Sequence, residues 1–134
     1  MTIKQKKAVI RNFAELTNGR ELDGALAHFD PSFIDHAVRQ GMPTGIEGAR
    51  MFFKMVFTAF PDLHETIEDI IGEGDKVVNR MTCESTYKGV FMVALPTGKH
   101  VKWSFIEINQ IVDGKVVKHL AKNAIGLMPQ LAPS

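Results

Sequence analysis

Apolar residues recur at helical spacing through most of the first half of the chain and at alternate positions through the second half. Thr2 followed by Gln5 forms the signature of a capping box, and Ile10, Phe13 and Leu16 keep one helical face until Gly19 stops the run. A shorter helix carries Leu22, Leu26 and Phe29 on one side and is expected to end near "DPSF". Thr44 and Glu47 predict a second capping box at the start of "GIEGARMFFKMVFTAF", which Pro61 closes. That helix is apolar over more than half its circumference, so it is covered on several sides, or lines a cavity as well as a core. The strand pattern begins with the short "FIDHAV". It continues with "LHETIEDII", a "GEGD" turn, "KVVNRMTCESTY", "VFMVAL", a "PTGK" turn, "HVKWSFIEINQIV" and "KVVKHLAKN". Helices first and turn-linked strands afterwards predict an α+β fold with an antiparallel sheet, one face of which takes the helices.

The last two strands leave their register open. If Asp113-Gly114 is a two-residue turn, Glu107 lies opposite Leu120. If Val112, Asp113 and Gly114 form a three-residue loop, Glu107 lies opposite His119. A slip of one residue sends every side chain to the other face, so the turn decides whether an acid and an imidazole share one place.

Glu107 is the sharpest candidate for chemistry, because it sits mid-strand between Ile106 and Ile108. On a solvent face it is ordinary; on a concave face an apolar enclosure would raise its pKa and suit it to proton transfer. Strict alternation puts Trp103, Phe105, Glu107 and Asn109 on one face, a row that looks more like a ligand wall than an outer surface. Asp35-His36 fits a cap or turn as well as a site, and Arg80 fits a salt bridge as well as a ligand contact.

Composition narrows the partners. The 134 residues suffice for one domain with a real core, and 45% hydrophobic with 23% charged residues is ordinary for a soluble protein. A net charge of +1 with dispersed lysines argues against nucleic acid or an anionic membrane. The single cysteine, Cys83, excludes an internal disulfide, and no signal-like or membrane-length apolar run is present, so a cytoplasmic location is expected. The five histidines show no metal-ligand spacing, and no phosphate loop, nucleophile elbow or calcium loop occurs. No metal and no cofactor are expected.

The segments "AFPDLHETIEDIIGEGDKVVNRMT", "VALPTGKHV", "INQIVDGKVVKH" and "GLMPQL" together resemble the SnoaL-like polyketide cyclase family, in matching order over about residues 5 to 131. The resemblance implies a cone in which three helices pack into a strongly curved antiparallel sheet, with a pocket at the wide end. It also implies a homodimer through the outer sheet face. It places a family histidine at Glu107 and the family's acid/base aspartate at Ala121, both facing the pocket, which requires the three-residue loop. Glu107 would then meet His119 with Trp103, Phe105, Ala121 and Asn123 alongside. Since the aspartate, its preceding Trp and a further histidine are here Ala121, Leu120 and Tyr87, the acid/base set must be rebuilt. Glu107 would be the base, His119 its partner and Tyr87 a donor to an oxyanion. His36, Phe52, Arg80, Trp103, Phe105 and Asn123 would form the ligand wall. The implied activity is cofactor-free cyclisation, isomerisation or dehydration of a hydrophobic, carbonyl-bearing small molecule. The alternatives are a non-catalytic binder of a lipophilic ligand, or an interaction protein whose cone is filled core.

Overall fold

A computed structural model describes residues 1–37, 41–91 and 94–132. The elements are α1 (Ile3–Asn18), α2 (Leu22–Leu26), β1 (Phe29–Asp35), α3 (Ile46–Ala59), β2 (His64–Glu73), β3 (Lys76–Thr86), β4 (His100–Val112), β5 (Lys115–Ile125) and a final turn of helix, α4 (Leu127–Gln130). The five strands form one curved, unclosed sheet in the order β1-β5-β4-β3-β2.

The capping box of α1 is present: Gln5 N–H donates to the Thr2 hydroxyl, and the Gln5 side chain accepts from Thr2 N–H. At the other end Arg20 adopts a positive φ of 60°. Its guanidinium donates to the carbonyls of Thr17, Asn18, Pro61 and Leu63, satisfying orphan carbonyls of the helix and tying α1 to the start of β2. The second capping box does not form. Gly45 is the N-cap of α3, and the Thr44 hydroxyl instead accepts from Asp35 N–H at 3.2 Å. Gly48 is required where α3 begins, since a Cβ there would lie 1.7 Å from the Pro43 carbonyl oxygen.

Three further expectations are corrected. The second helix ends at Leu26 rather than near "DPSF", and Asp30-Pro31-Ser32 belongs to β1. Pro31 is tolerated because β1 is an edge strand with an irregular register there. β1 pairs with β5 in parallel, so the sheet is not wholly antiparallel. In "VFMVAL" the described residues contribute only an isolated bridge, Phe91 to Ala94; Met92 and Val93 lie outside the described residues, as does Val38 at the end of "FIDHAV".

Odd-numbered residues of β3 and β4 face the concave side and form two apolar clusters. Phe60, Met81, Tyr87, Trp103 and Phe105 belong to one; Ile10, Phe33, Val77, Ile111 and Val116 form the other. Between the clusters, on the same face, lie Asn79, Glu107 and Asn109. The core is therefore interrupted by a polar band, and the candidate site lies there.

Candidate active site

The β4–β5 turn comes out opposite to the family-implied reading. Asp113 and Gly114 both have positive φ (50° and 80°), which makes a two-residue turn of the I′ kind, with Val112 paired to Lys115 and Ile111 to Val116. Two β-bulges then reset the register. Val117 is skipped, so Asn109 faces His119; Leu120 is skipped, so Ile108 faces Ala121 and Glu107 faces Lys122. The concave face of β5 is consequently Val116, His119, Lys122 and Ala124, at spacings that no simple alternation produces. Ala121 and Asn123 are exposed, opposite Ile108 and Ile106 on the outer face, so neither lies in the pocket as the three-residue loop would have required.

The bulges bring His119 against two carboxylates. Its Nδ1 lies 3.2 Å from Asp35 Oδ1 and its Nε2 lies 3.3 Å from Glu107 Oε2. Asp35 arrives at the end of β1, where it is the parallel partner of His119, and His36 N–H donates to the His119 carbonyl. The three side chains are only 22%, 13% and 16% exposed for Asp35, His119 and Glu107. Asn79 Nδ2 donates to the second Glu107 oxygen at 3.0 Å. The contact of Nε2 with Glu107 is close without being aligned as a hydrogen bond. Among the described residues, Nε2 and the Asn79 Oδ1 are buried polar atoms with no hydrogen-bond partner.

The electrostatics follow from this arrangement. Burial alone would push Glu107 up, but His119, the Lys122 ammonium and the Asn79 amide together hold it down at about 2. Burial alone would push His119 down, but Asp35 and Glu107 outweigh it and raise the imidazole to about 9. At neutral pH the centre of the site is an imidazolium between two carboxylates.

Around this centre is a cavity of about 410 Å³, walled by Phe52, Phe53, Trp103 and Phe105 among others. Lys122 places its ammonium over the rings of Phe105 and Phe52, 4.3 and 5.2 Å from their centroids. Glu65 enters the same cavity from β2, with burial pushing its carboxyl up to about 7. Phe52, Trp103 and Phe105 line this cavity.

Three other candidates stand elsewhere. Tyr87 is fully buried, stacks on Phe60 and donates its hydroxyl to the Ala94 carbonyl, so it braces the loop after β3 and has no free hydroxyl for an oxyanion. Arg80 is on the outer face, paired with Asp69 at 2.6 Å. The His36 side chain is exposed and contributes only its backbone. Sequence reasoning left out Asn79, Glu65 and Lys122. Asn79 and Glu65 had a readable signal, each alternating with core residues (Val77 and Met81; Leu63 and Ile67), whereas Lys122 faces inward on the two-residue turn and shares that face with His119 only through the bulges. Among the described residues no group of three His, Cys, Asp or Glu side chains could hold a metal ion, and no helix is long and apolar enough to cross a membrane.

The family model of SnoaL-like polyketide cyclases matches residues 7–131. The chain belongs to the SnoaL-like polyketide cyclase family. Its fold is shared with AclR, a proposed hydroxylase from Streptomyces galilaeus, at 28% identity and a TM-score of 0.87 over 99% of this chain and 89% of that one. TsrD from Streptomyces laurentii gives 24% identity and a TM-score of 0.88 over 98% of both chains. A proposed SnoaL-like polyketide cyclase from Jannaschia sp. CCS1 gives 24% identity and 0.84 over 100% of this chain and 97% of that one. No curated protein matches the chain. As a SnoaL-like protein it has the expected α+β architecture, with its polar groups inside the curve of the sheet.

Proposed function

We propose that this SnoaL-like protein catalyses cofactor-free proton transfer on a small, apolar, carbonyl-bearing molecule, in a cyclisation, isomerisation or dehydration. The observation that carries the reading is His119, held between Asp35 and Glu107 in the lining of an otherwise aromatic cavity. An imidazolium so placed stabilises the negative charge that develops on a carbonyl oxygen, and a site already organised around that charge needs little reorganisation. Asp35 and Glu107 keep the ring charged and oriented. We assign Glu107 to that task rather than to accepting a substrate proton, because a carboxylate held at about 2 is a weak base at neutral pH. Phe52, Trp103 and Phe105 supply the apolar contact that fixes the substrate.

A thermal-shift screen against aromatic ketones, polyketide esters, steroids and terpenoid epoxides tests this reading. A ligand at a hundredfold its dissociation constant stabilises the fold by about 2.7 kcal/mol. The expected result is a carbonyl-bearing hit whose shift shrinks in His119→Gln. A panel without hits, or hits indifferent to His119, would overturn it.

We further propose a homodimer through the outer sheet face. The row Ile71, Val78, Ile108 and Ala121 crosses four strands there, with Ile71 64% exposed and Ile106 close by at 41%. Sedimentation of the native chain and of Ile106→Lys tests it: a dimer that the variant splits is expected, and a native monomer would refute it.

A further inference from the structure

We propose that Glu65 is the proton acceptor of the reaction, working from the same cavity as His119, three strands away on the curved sheet, on a carbonyl compound with an acidic C–H beside its carbonyl. The proposal rests on the preceding reading of His119 as the charge that stabilises the carbonyl oxygen.

Glu65 lies in β2 between Leu63 and Ile67, on the concave face, and it lines the cavity. Its backbone is fixed on both sides by one residue of α1: Glu65 N–H donates to Asn18 Oδ1 at 2.8 Å, and Asn18 Nδ2 donates to the Glu65 carbonyl at 2.9 Å. Its carboxylate, by contrast, accepts no hydrogen bond among the described residues, unlike that of Glu107. A carboxylate that is positioned by its backbone and left unbonded at its oxygens is free to accept a proton.

The groups that act on it come from four elements. Cys83, its partner in β3, is a buried thiol pushed further up by burial, so it stays neutral. Lys122 of β5 and Arg20 at the end of α1 favour the ionised form; Glu107 of β4 opposes it, and burial opposes it most. The balance leaves Glu65 near half ionised at neutral pH, the condition under which a base is both present and effective.

The step balances without a cofactor. The Glu65 carboxylate takes the proton from the carbon next to the carbonyl, and the C–H electron pair becomes the new C=C bond. The C=O pair moves to oxygen, where the positive charge of the His119 imidazolium stabilises it. Return of a proton to another carbon gives isomerisation, and attack of the enolate on a second carbonyl within the molecule gives ring closure.

The test uses β-tetralone, a small aromatic ketone, in heavy water, with exchange of the protons beside the carbonyl followed by NMR. The native protein is expected to accelerate exchange over buffer, with a rate that rises as pH passes through about 7 and then levels. Glu65→Gln should lower the rate by about a hundredfold or more and remove that pH dependence while the thermal shift given by β-tetralone is kept. Native exchange in Glu65→Gln alongside loss in His119→Gln overturns the role of Glu65 and keeps that of His119. Loss in Glu65→Gln with native exchange in His119→Gln keeps Glu65 and overturns His119. A native protein no faster than buffer overturns both. Independently, a Glu65 carboxyl carbon that titrates in the ordinary carboxylate range would overturn the proposal without reference to turnover.

Discussion

Glu65 and Glu107 are the same residue type on the same concave face, and their environments drive them in opposite directions, to about 7 and about 2. Both are withdrawn from water, so burial is not what separates them. Glu107 has an imidazolium, an amide donor and an ammonium beside it; Glu65 has charges that act only at longer range and no hydrogen-bond donor among the described residues. The difference is one of partners, and it divides the cavity into a wall where charge is permanently held and a wall where a proton can come and go.

The largest way to break this contrast is to remove the imidazolium. His119→Leu leaves Asp35 and Glu107 facing one another without their cation. Breaking a buried pair this way costs about 3–5 kcal/mol, and urea unfolding at pH 7 measures it. The loss should shrink as the pH is lowered and Glu107 takes up a proton. In the native protein the imidazole keeps its proton up to about 9, above its ordinary 6.5. Its contribution to stability is therefore complete below 6.5 and is lost as pH rises through 9. Glu107 behaves oppositely, its contribution present above about 4.5 and lost as pH falls through 2.

A smaller effect follows from Asn79→Leu, which removes the amide donor from Glu107 and also the unpartnered Oδ1. Loss of a hydrogen bond to a charged group costs about 1–3 kcal/mol. Deleting the orphaned oxygen offsets part of this, so urea unfolding should place the net loss toward the lower figure. A Glu107 carboxyl that does not titrate higher in this variant would show that the amide is not among its controls.

The contrast also marks what could be read in the sequence. The α+β order, the α1 capping box, the turn at Asp113-Gly114 as such, and the aromatic wall of Phe52, Trp103 and Phe105 are local or periodic features, and pattern reading reaches them. The same alternation that placed Trp103 and Glu107 on one face would have placed Glu65 between Leu63 and Ile67, had it been applied to "LHETI". The site around His119 was not legible in that way. The bulges at Val117 and Leu120 have no composition signal, and they turn a period of two into steps of three. Assuming an unbulged hairpin forced a choice between loop lengths: the two-residue turn puts Lys122 inside and Ala121 outside but turns His119 out, the three-residue loop does the reverse, and neither puts His119 and Lys122 on one face. Asp35 depends on a parallel pairing across many residues of chain, which no local pattern encodes. Tyr87 and Arg80 were drawn toward the site by resemblance and by charge, yet each has a nearer partner, the Ala94 carbonyl and Asp69.

The gentlest substitution acts on Glu65 itself. Its folded form holds the proton more tightly than the unfolded chain does, up to about 7 against an ordinary 4.5. Stability from this group is thus full below 4.5 and declines as pH rises through 7, where the native fold must ionise a carboxyl in an apolar wall. Glu65→Gln removes that penalty while keeping the shape of the side chain. The variant should match the native protein at pH 4.5 and exceed it at pH 8 by about 3 kcal/mol, read from paired urea curves at the two values. Lys122→Met should enlarge the gap, because the ammonium is the largest influence favouring the ionised form. A variant whose advantage is the same at both pH values would mean that Glu65 is already ionised at low pH. Glu65 and Glu107 would then be alike after all, and the division of the cavity into two walls would fall with them.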